Sequence, residues 1–134
     1  MAQSCAWQDG RHVVDELAEL EVADASAWRR WLDAHHRRSA GVWLVLAKKG
    51  TTEPTRLTYG EALEEAMCYG WIDGLVRRRD EATYHQRFTP RRPRSAWSRT
   101  NVAAAERLIR EGRMHEAGAA AVERARADGR WDVA

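Results

Sequence analysis

The sequence predicts an α+β domain in which helices pack on a small, mostly antiparallel sheet. Two observations carry that prediction. Apolar stripes at helical spacing are interleaved with short runs of β-forming residues. In addition, the two central strand candidates, Trp71–Arg77 and Thr83–Phe88, are separated only by 78–82, a stretch short enough for a hairpin loop. A chain of 134 residues fits one domain. At this size about two-thirds of the unfolded chain's surface can be buried, so a core is possible without disulfides or metal.

Residues 1–23 are acidic and weakly periodic, which predicts a partly ordered leader with a short helix near Val13–Leu20; the domain proper runs over 24–134. Asp24 or Ser26 is placed to cap the next helix. Trp28, Trp31, Leu32 and His35 then recur at i, i+3, i+4 and i+7, and Arg37-Arg38 suit the helix C-terminus. Val42–Ala47 is an apolar run of β-formers, read as a buried strand.

Thr58-Tyr59-Gly60-Glu61 is a capping box, flanked by Leu57 and Ala62 as its hydrophobic staple. Ala62, Leu63, Ala66 and Met67 form that helix's apolar face, and Gly70 stops it. In the second strand of the hairpin, Tyr84, Gln86 and Phe88 share one face and Thr83, His85 and Arg87 the other. A helix starting between Ser95 and Ser98 turns Val102, Ala105, Leu108 and Ile109 inward. A last helix from about Glu116 buries Ala117, Ala121, Val122 and Ala125. The expected order is α-β-α-β-β-α-α.

Composition excludes several classes. The chain is 44% apolar and 31% charged, and no apolar run reaches 18 residues, so neither a transmembrane helix nor a membrane partner is expected. Met1–Val13 carries Gln3, Gln8, Asp9, Arg11 and His12 and lacks the apolar stretch of a secretory signal, which points to the cytoplasm. Cys5 and Cys68 cannot build a disulfide framework or a four-ligand zinc site. His35 and His36 are adjacent on a helix and point in different directions. No metal and no cofactor is expected.

Charge is unevenly placed. From Arg77 to Arg99 eight arginines face only Asp80 and Glu81. At the centre lies Arg87-Phe88-Thr89-Pro90-Arg91-Arg92-Pro93-Arg94-Ser95-Ala96-Trp97-Ser98. Its two prolines bar it from a helix interior or a central strand. Arginine forks suit carboxylate or phosphate and stack on rings. The predicted site therefore joins Arg87, Arg91 and Arg92 as anion holders to Trp71 and Trp97 as ring faces. Ser95 and Ser98 are donors near a helix start, and Asp73 and Asn101 orient a ligand. The alternative is that these arginines pair with Asp73, Glu61, Glu64 or Glu65 and only fix the loop.

Several blocks carry a family resemblance: Gly41-Val42-Trp43-Leu44, Leu57-Thr58-Tyr59-Gly60-Glu61-Ala62, Gly70-Trp71-Ile72-Asp73-Gly74, Arg87-Phe88-Thr89-Pro90-Arg91-Arg92-Pro93, Ser95-Ala96-Trp97-Ser98, Asn101, Gly112-Arg113-Met114 and Gly129-Arg130-Trp131. In this order and spacing they resemble the bacteriocin-protection family, also called YdeI/OmpD-associated, from about Trp28 to Trp131. The resemblance implies a bacterial cytoplasmic protein associated with tolerance of antimicrobial compounds or peptides. It brings no catalytic mechanism with it.

Three functions remain open on the sequence. The first is a binding protein for an anionic or aromatic small molecule or peptide. The second is a nucleic-acid module using the Arg77–Arg99 segment, although the chain's pI near 8.8 is modest for that role. The third is an enzyme with Asp73 or His85 as acid or base. The residue types of a serine triad are present, but no Gly-x-Ser-x-Gly elbow is.

Overall fold

A computed structural model describes residues 17–133. Its elements are β1 (Glu19–Leu20), α1 (Ala25–His35), β2 (Val42–Ala47), α2 (Tyr59–Cys68), β3 (Trp71–Arg78), β4 (Thr83–Pro90), α3 (Arg99–Arg110) and α4 (Glu116–Ala127). The sheet runs β1-β2-β4-β3. β4 pairs antiparallel with both β2 and β3, whereas β1 runs parallel to β2, so the sheet is mixed.

The α+β class and the order of the later elements are as expected. The leader is not. Its expected helix falls partly outside the described residues, and Glu19–Leu20 is a strand. The reason is electrostatic as well as steric. Glu19 receives Arg79 at 2.8 Å and His85 at 2.6 Å, and Arg79 also reaches Glu21 and Asp80. These contacts hold residues 19–21 extended against the sheet, where a helix would turn the carboxylates away.

Local signals place the helices. Asp24 is the N-cap of α1 and accepts from the Ala27 amide at 2.9 Å. Thr58 and Glu61 close the capping box of α2 in both directions. Ser98, the later of the two candidates, caps α3. His115 caps α4, its Nδ1 accepting the Ala117 amide at 3.0 Å.

The helices share one core with Val42, Leu44, Leu46 and Phe88 of one sheet face: α2 lies on β3, and α1, α3 and α4 pack on α2. Trp28 lies at the centre, fully buried. Its indole donates to the Ala62 carbonyl at 3.0 Å and meets Trp31, Trp71 and Phe88 at centroid distances of 5.6, 6.3 and 5.7 Å. The expected inner stripe of α3 holds for Ala105 and Leu108, but Ile109 is 40% exposed. Alternate strand residues, Trp43, Val45, His85 and Arg87, lie on the other face of the sheet. Among the described residues no helix is long and apolar enough to cross a membrane.

α4 approaches α2 closely because Gly118 has no side chain. A Cβ there would collide with the Cys68 carbonyl, which already accepts the His115 amide at 3.0 Å. Gly118→Ala is therefore expected to destabilise the fold by about 1–3 kcal/mol, the usual cost of overpacking. Gly60→Ala, at a helical position with nothing within 4 Å of an added Cβ, is expected to stabilise by about 0.4–1 kcal/mol. Urea denaturation of the two variants checks both signs.

Candidate functional site

The site begins with an irregularity in the sheet. Asp73 pairs with Phe88 and Val76 with Gln86, so Gly74 and Leu75 together stand opposite the single residue Arg87. This is a β-bulge, and glycine inside a strand is its usual sequence mark. The Arg87 guanidinium lies against the bulge. A Cβ on Gly74 would fall 3.1 Å from Nε and 3.3 Å from Nη2. The Nε donor is buried without a hydrogen-bond partner, and Arg87 pairs with no acid among the described residues. Across the strand pair, Trp43 shares its register position and also keeps a buried, unpartnered indole Nε1.

Beyond Pro90 the chain crosses from the sheet to α3. This crossing folds one of its arginines inward. Arg91 is only 7% exposed and stacks 3.8 Å over the Trp97 ring. Its Nη1 donates to Ser95 Oγ at 3.0 Å and to the Ala96 carbonyl at 2.9 Å. Burial, with the Arg130 charge behind it, pushes the Arg91 guanidinium down to about 10; Asp73 acts in the opposite direction. Arg92, the next residue, points to solvent and has no acid partner among the described residues.

Asp73, Arg87, Arg92 and Ser95 line one cleft of about 550 Å³, together with Ile72, Gly74, Thr89, Pro90, Leu17 and Ala40. This is within the usual size range of small-molecule sites. The Asp73 side chain shares its face with its partner Phe88 and turns toward α2, where its Oδ2 accepts from the Tyr59 hydroxyl at 2.9 Å. Desolvation, then the Asp73 carboxylate, push the Tyr59 phenol up to about 12.

The other five expected site residues are placed elsewhere. Trp71 is 2% exposed, edge-on to Trp28 and Trp31 in the helical core, and offers no ring face to a ligand. Trp97 is buried between Arg91 and Trp131, whose ring centroid is 5.1 Å away. Arg91 is consumed by the loop it staples. Ser98 and Asn101 bond to each other across the α3 N-cap, with Ser98 Oγ accepting the Asn101 amide at 3.1 Å. These residues shape the crossing rather than line the cleft.

His85, the alternative acid or base, is buried on the second sheet face. Its Nδ1 accepts from Arg77 Nε at 3.2 Å, and its Nε2 meets Glu19. It does not reach the cleft. Sequence reasoning missed Tyr59 as the anchor of Asp73 and Gly74 as the bed of Arg87. Only the glycine carried a signal, its place inside a strand pattern.

A second cavity of about 520 Å³ lies at the C-terminal end of α1, lined by Asp33, His36, Arg37, Arg38 and His115. Part of its polar lining is engaged, although His36 Nε2 is buried without a partner. Tyr69 donates to Asp33 at 3.0 Å, His36 Nδ1 meets the Leu32 carbonyl at 2.8 Å, and His115 caps α4. Among the described residues no group of three His, Cys, Asp or Glu side chains is arranged to hold a metal ion.

The model of one domain family matches residues 20–121, which runs from β1 into α4. The chain belongs to that family, a domain of unknown function (DUF8412). No curated protein and no solved structure matches it. The DUF8412 region includes Asp73, Arg87, Arg92 and Ser95, and ends before Arg130 and Trp131, which back the crossing.

The Tyr59–Asp73 bond can be read optically. In the unfolded chain Tyr59 loses its proton near its ordinary value of 10, whereas in the folded chain it keeps it to about 12. The unfolded chain thus releases the proton first, and this group's contribution to stability falls as pH rises from about 10 to 12. In an absorbance titration of phenolate, Asp73→Asn is expected to move the Tyr59 transition back toward 10 and to leave Tyr69 and Tyr84 in place.

Proposed function

We propose that this protein is a small binding domain that holds an anionic ligand in the cleft between the β3 bulge and the Pro90–Ser95 crossing. The observation that carries this reading is the pairing state of the arginines. Arg79 is committed to Glu19, Glu21 and Asp80, and Arg91 to Ser95, Ala96 and Trp97. Arg87 and Arg92 pair with no described acid and line the same cleft. A buried guanidinium nitrogen left without an acceptor costs about 1–3 kcal/mol, and a bound oxyanion supplies charge-assisted acceptors to the same group.

The same distribution argues against the nucleic-acid reading and against His85 as acid or base. A phosphate-tracking surface needs its cations on one exposed stripe, and here Arg77, Arg79 and Arg91 are drawn into internal contacts. An acid–base enzyme using His85 needs that imidazole in the cleft, and it is sealed between Arg77 and Glu19. The resemblance to bacteriocin-protection proteins supports a role in tolerance of antimicrobial compounds or self-resistance, exercised by sequestering the ligand.

Titration of the full chain with benzoate, followed by amide NMR, tests the reading. Shifts should map to Gly74, Thr89 and Arg92. Arg87→Gln should weaken binding by about tenfold or more, the effect of losing a hydrogen-bonded charge. The proposal fails if benzoate causes no shifts there. It also fails if a single-stranded oligonucleotide binds instead, with the steep loss of affinity on added salt that phosphate contacts produce.

A further inference from the structure

The cleft has a cation at each end and an apolar floor between them. Arg87 and Thr89 alternate along β4 and share the sheet face away from the helices with Ile72, the register partner of Thr89. The Thr89 methyl and Leu17 Cδ1 converge over Gly41, 2.6 and 3.2 Å from the place a Cβ would take. With Ile72 they form an apolar strip along the cleft. Arg87 lies on the inner side of this strip. Arg92 and Ser95 lie on its outer side, past the end of β4. The two arginines leave the chain far apart. β4 is extended from Arg87 to Pro90, which at about 3.3 Å per residue separates those positions by about 10 Å. The pairing runs one step further, the Arg91 amide donating to the Gly70 carbonyl at 2.9 Å, before Arg92 is reached. The one acid among the lining residues, Asp73, turns its carboxylate to the helix-bearing face and opposes neither cation. Ser95 Oγ accepts from Arg91, which leaves its own proton to donate.

We propose that the cleft takes a dicarboxylate whose two charges are separated by an apolar body. One carboxylate meets Arg87, the other meets Arg92 and Ser95, and the body lies on the strip between them. This inference rests on the anion-binding reading above and adds the second charge and its spacing. A simple anion at either end leaves the other cation and the apolar floor unused. Two linked charges bind as one event followed by a second, intramolecular one. The gain is lost when the body is too short to span the sites and is greatest when its length matches the span.

Succinate, adipate, suberate and sebacate, each beside the monocarboxylate of the same chain length, are titrated calorimetrically into the full chain. Affinity is expected to rise from succinate to a maximum at one of the longer dicarboxylates. That compound should bind at least about tenfold more tightly than its monocarboxylate, the gain from a second linked contact. Arg92→Gln, at an exposed position, should bring it down to the level of the monocarboxylate, with the circular dichroism of the parent chain retained. If each monocarboxylate binds as tightly as its dicarboxylate, or if Arg92→Gln leaves their ratio intact, the two-ended inference is overturned while anion binding stands. The same holds if benzoate shifts Gly74, Thr89 and Arg92 and no dicarboxylate binds. If benzoate also fails, both readings fall.

Discussion

The arrangement of the cleft depends on one constraint, the extra residue in β3 opposite Arg87. Without the bulge, β3 and β4 would stay in register from Trp71 to Arg78 and Arg87 would face a side chain on the neighbouring strand. With it, Gly74 presents bare backbone beneath the guanidinium. Any larger residue at that position would occupy the ground on which Arg87 rests. Backbone geometry therefore fixes a cation in place here, in the absence of an acid to hold it.

The same economy of acids organises the rest of the molecule. Glu64, Glu65 and Glu111 gather Arg29, Arg107 and Arg113 and tie α1, α2 and α3 to the loop before α4. Glu19, Glu21 and Asp80 gather Arg79 and fasten β1 to the hairpin. Asp73, next to the arginine-rich crossing, is likewise tethered, to Tyr59. Surface ion pairs of this kind contribute little stability singly. Their structural consequence is to leave Arg87 and Arg92 without internal partners.

Much of the fold was legible because it follows from local rules. The Thr58–Glu61 box, the Val42–Ala47 run and the Trp71–Phe88 hairpin each state their element within a few residues. β1 was not legible, since a two-residue parallel strand has no period and depends on Arg79 and His85, which lie 60 or more positions away. Ile109 was misplaced for a related reason. Its helical phase is right for the core, but packing of α3 on α2 selects the Ala105–Leu108 line.

The candidate site was legible as a location and less so as a set of residues. Composition identifies where cations and rings are concentrated, but pairing decides which of them are available. Trp71 and Trp97 were expected at the cleft because their neighbours are glycine, serine and arginine. Yet the large apolar area of an indole favours burial wherever the fold offers a partner, and Trp28, Trp31, Arg91 and Trp131 offer it. Arg91 and Arg92 make the contrast sharpest. They are adjacent in sequence and chemically identical, but an extended chain sends consecutive side chains to opposite sides. One arginine is drawn over Trp97 and loses much of its hydration; the other is left at the cleft mouth. A binding group and a structural group thus arise from the same dipeptide, and what distinguishes them is the direction in which the Pro90 crossing turns the backbone.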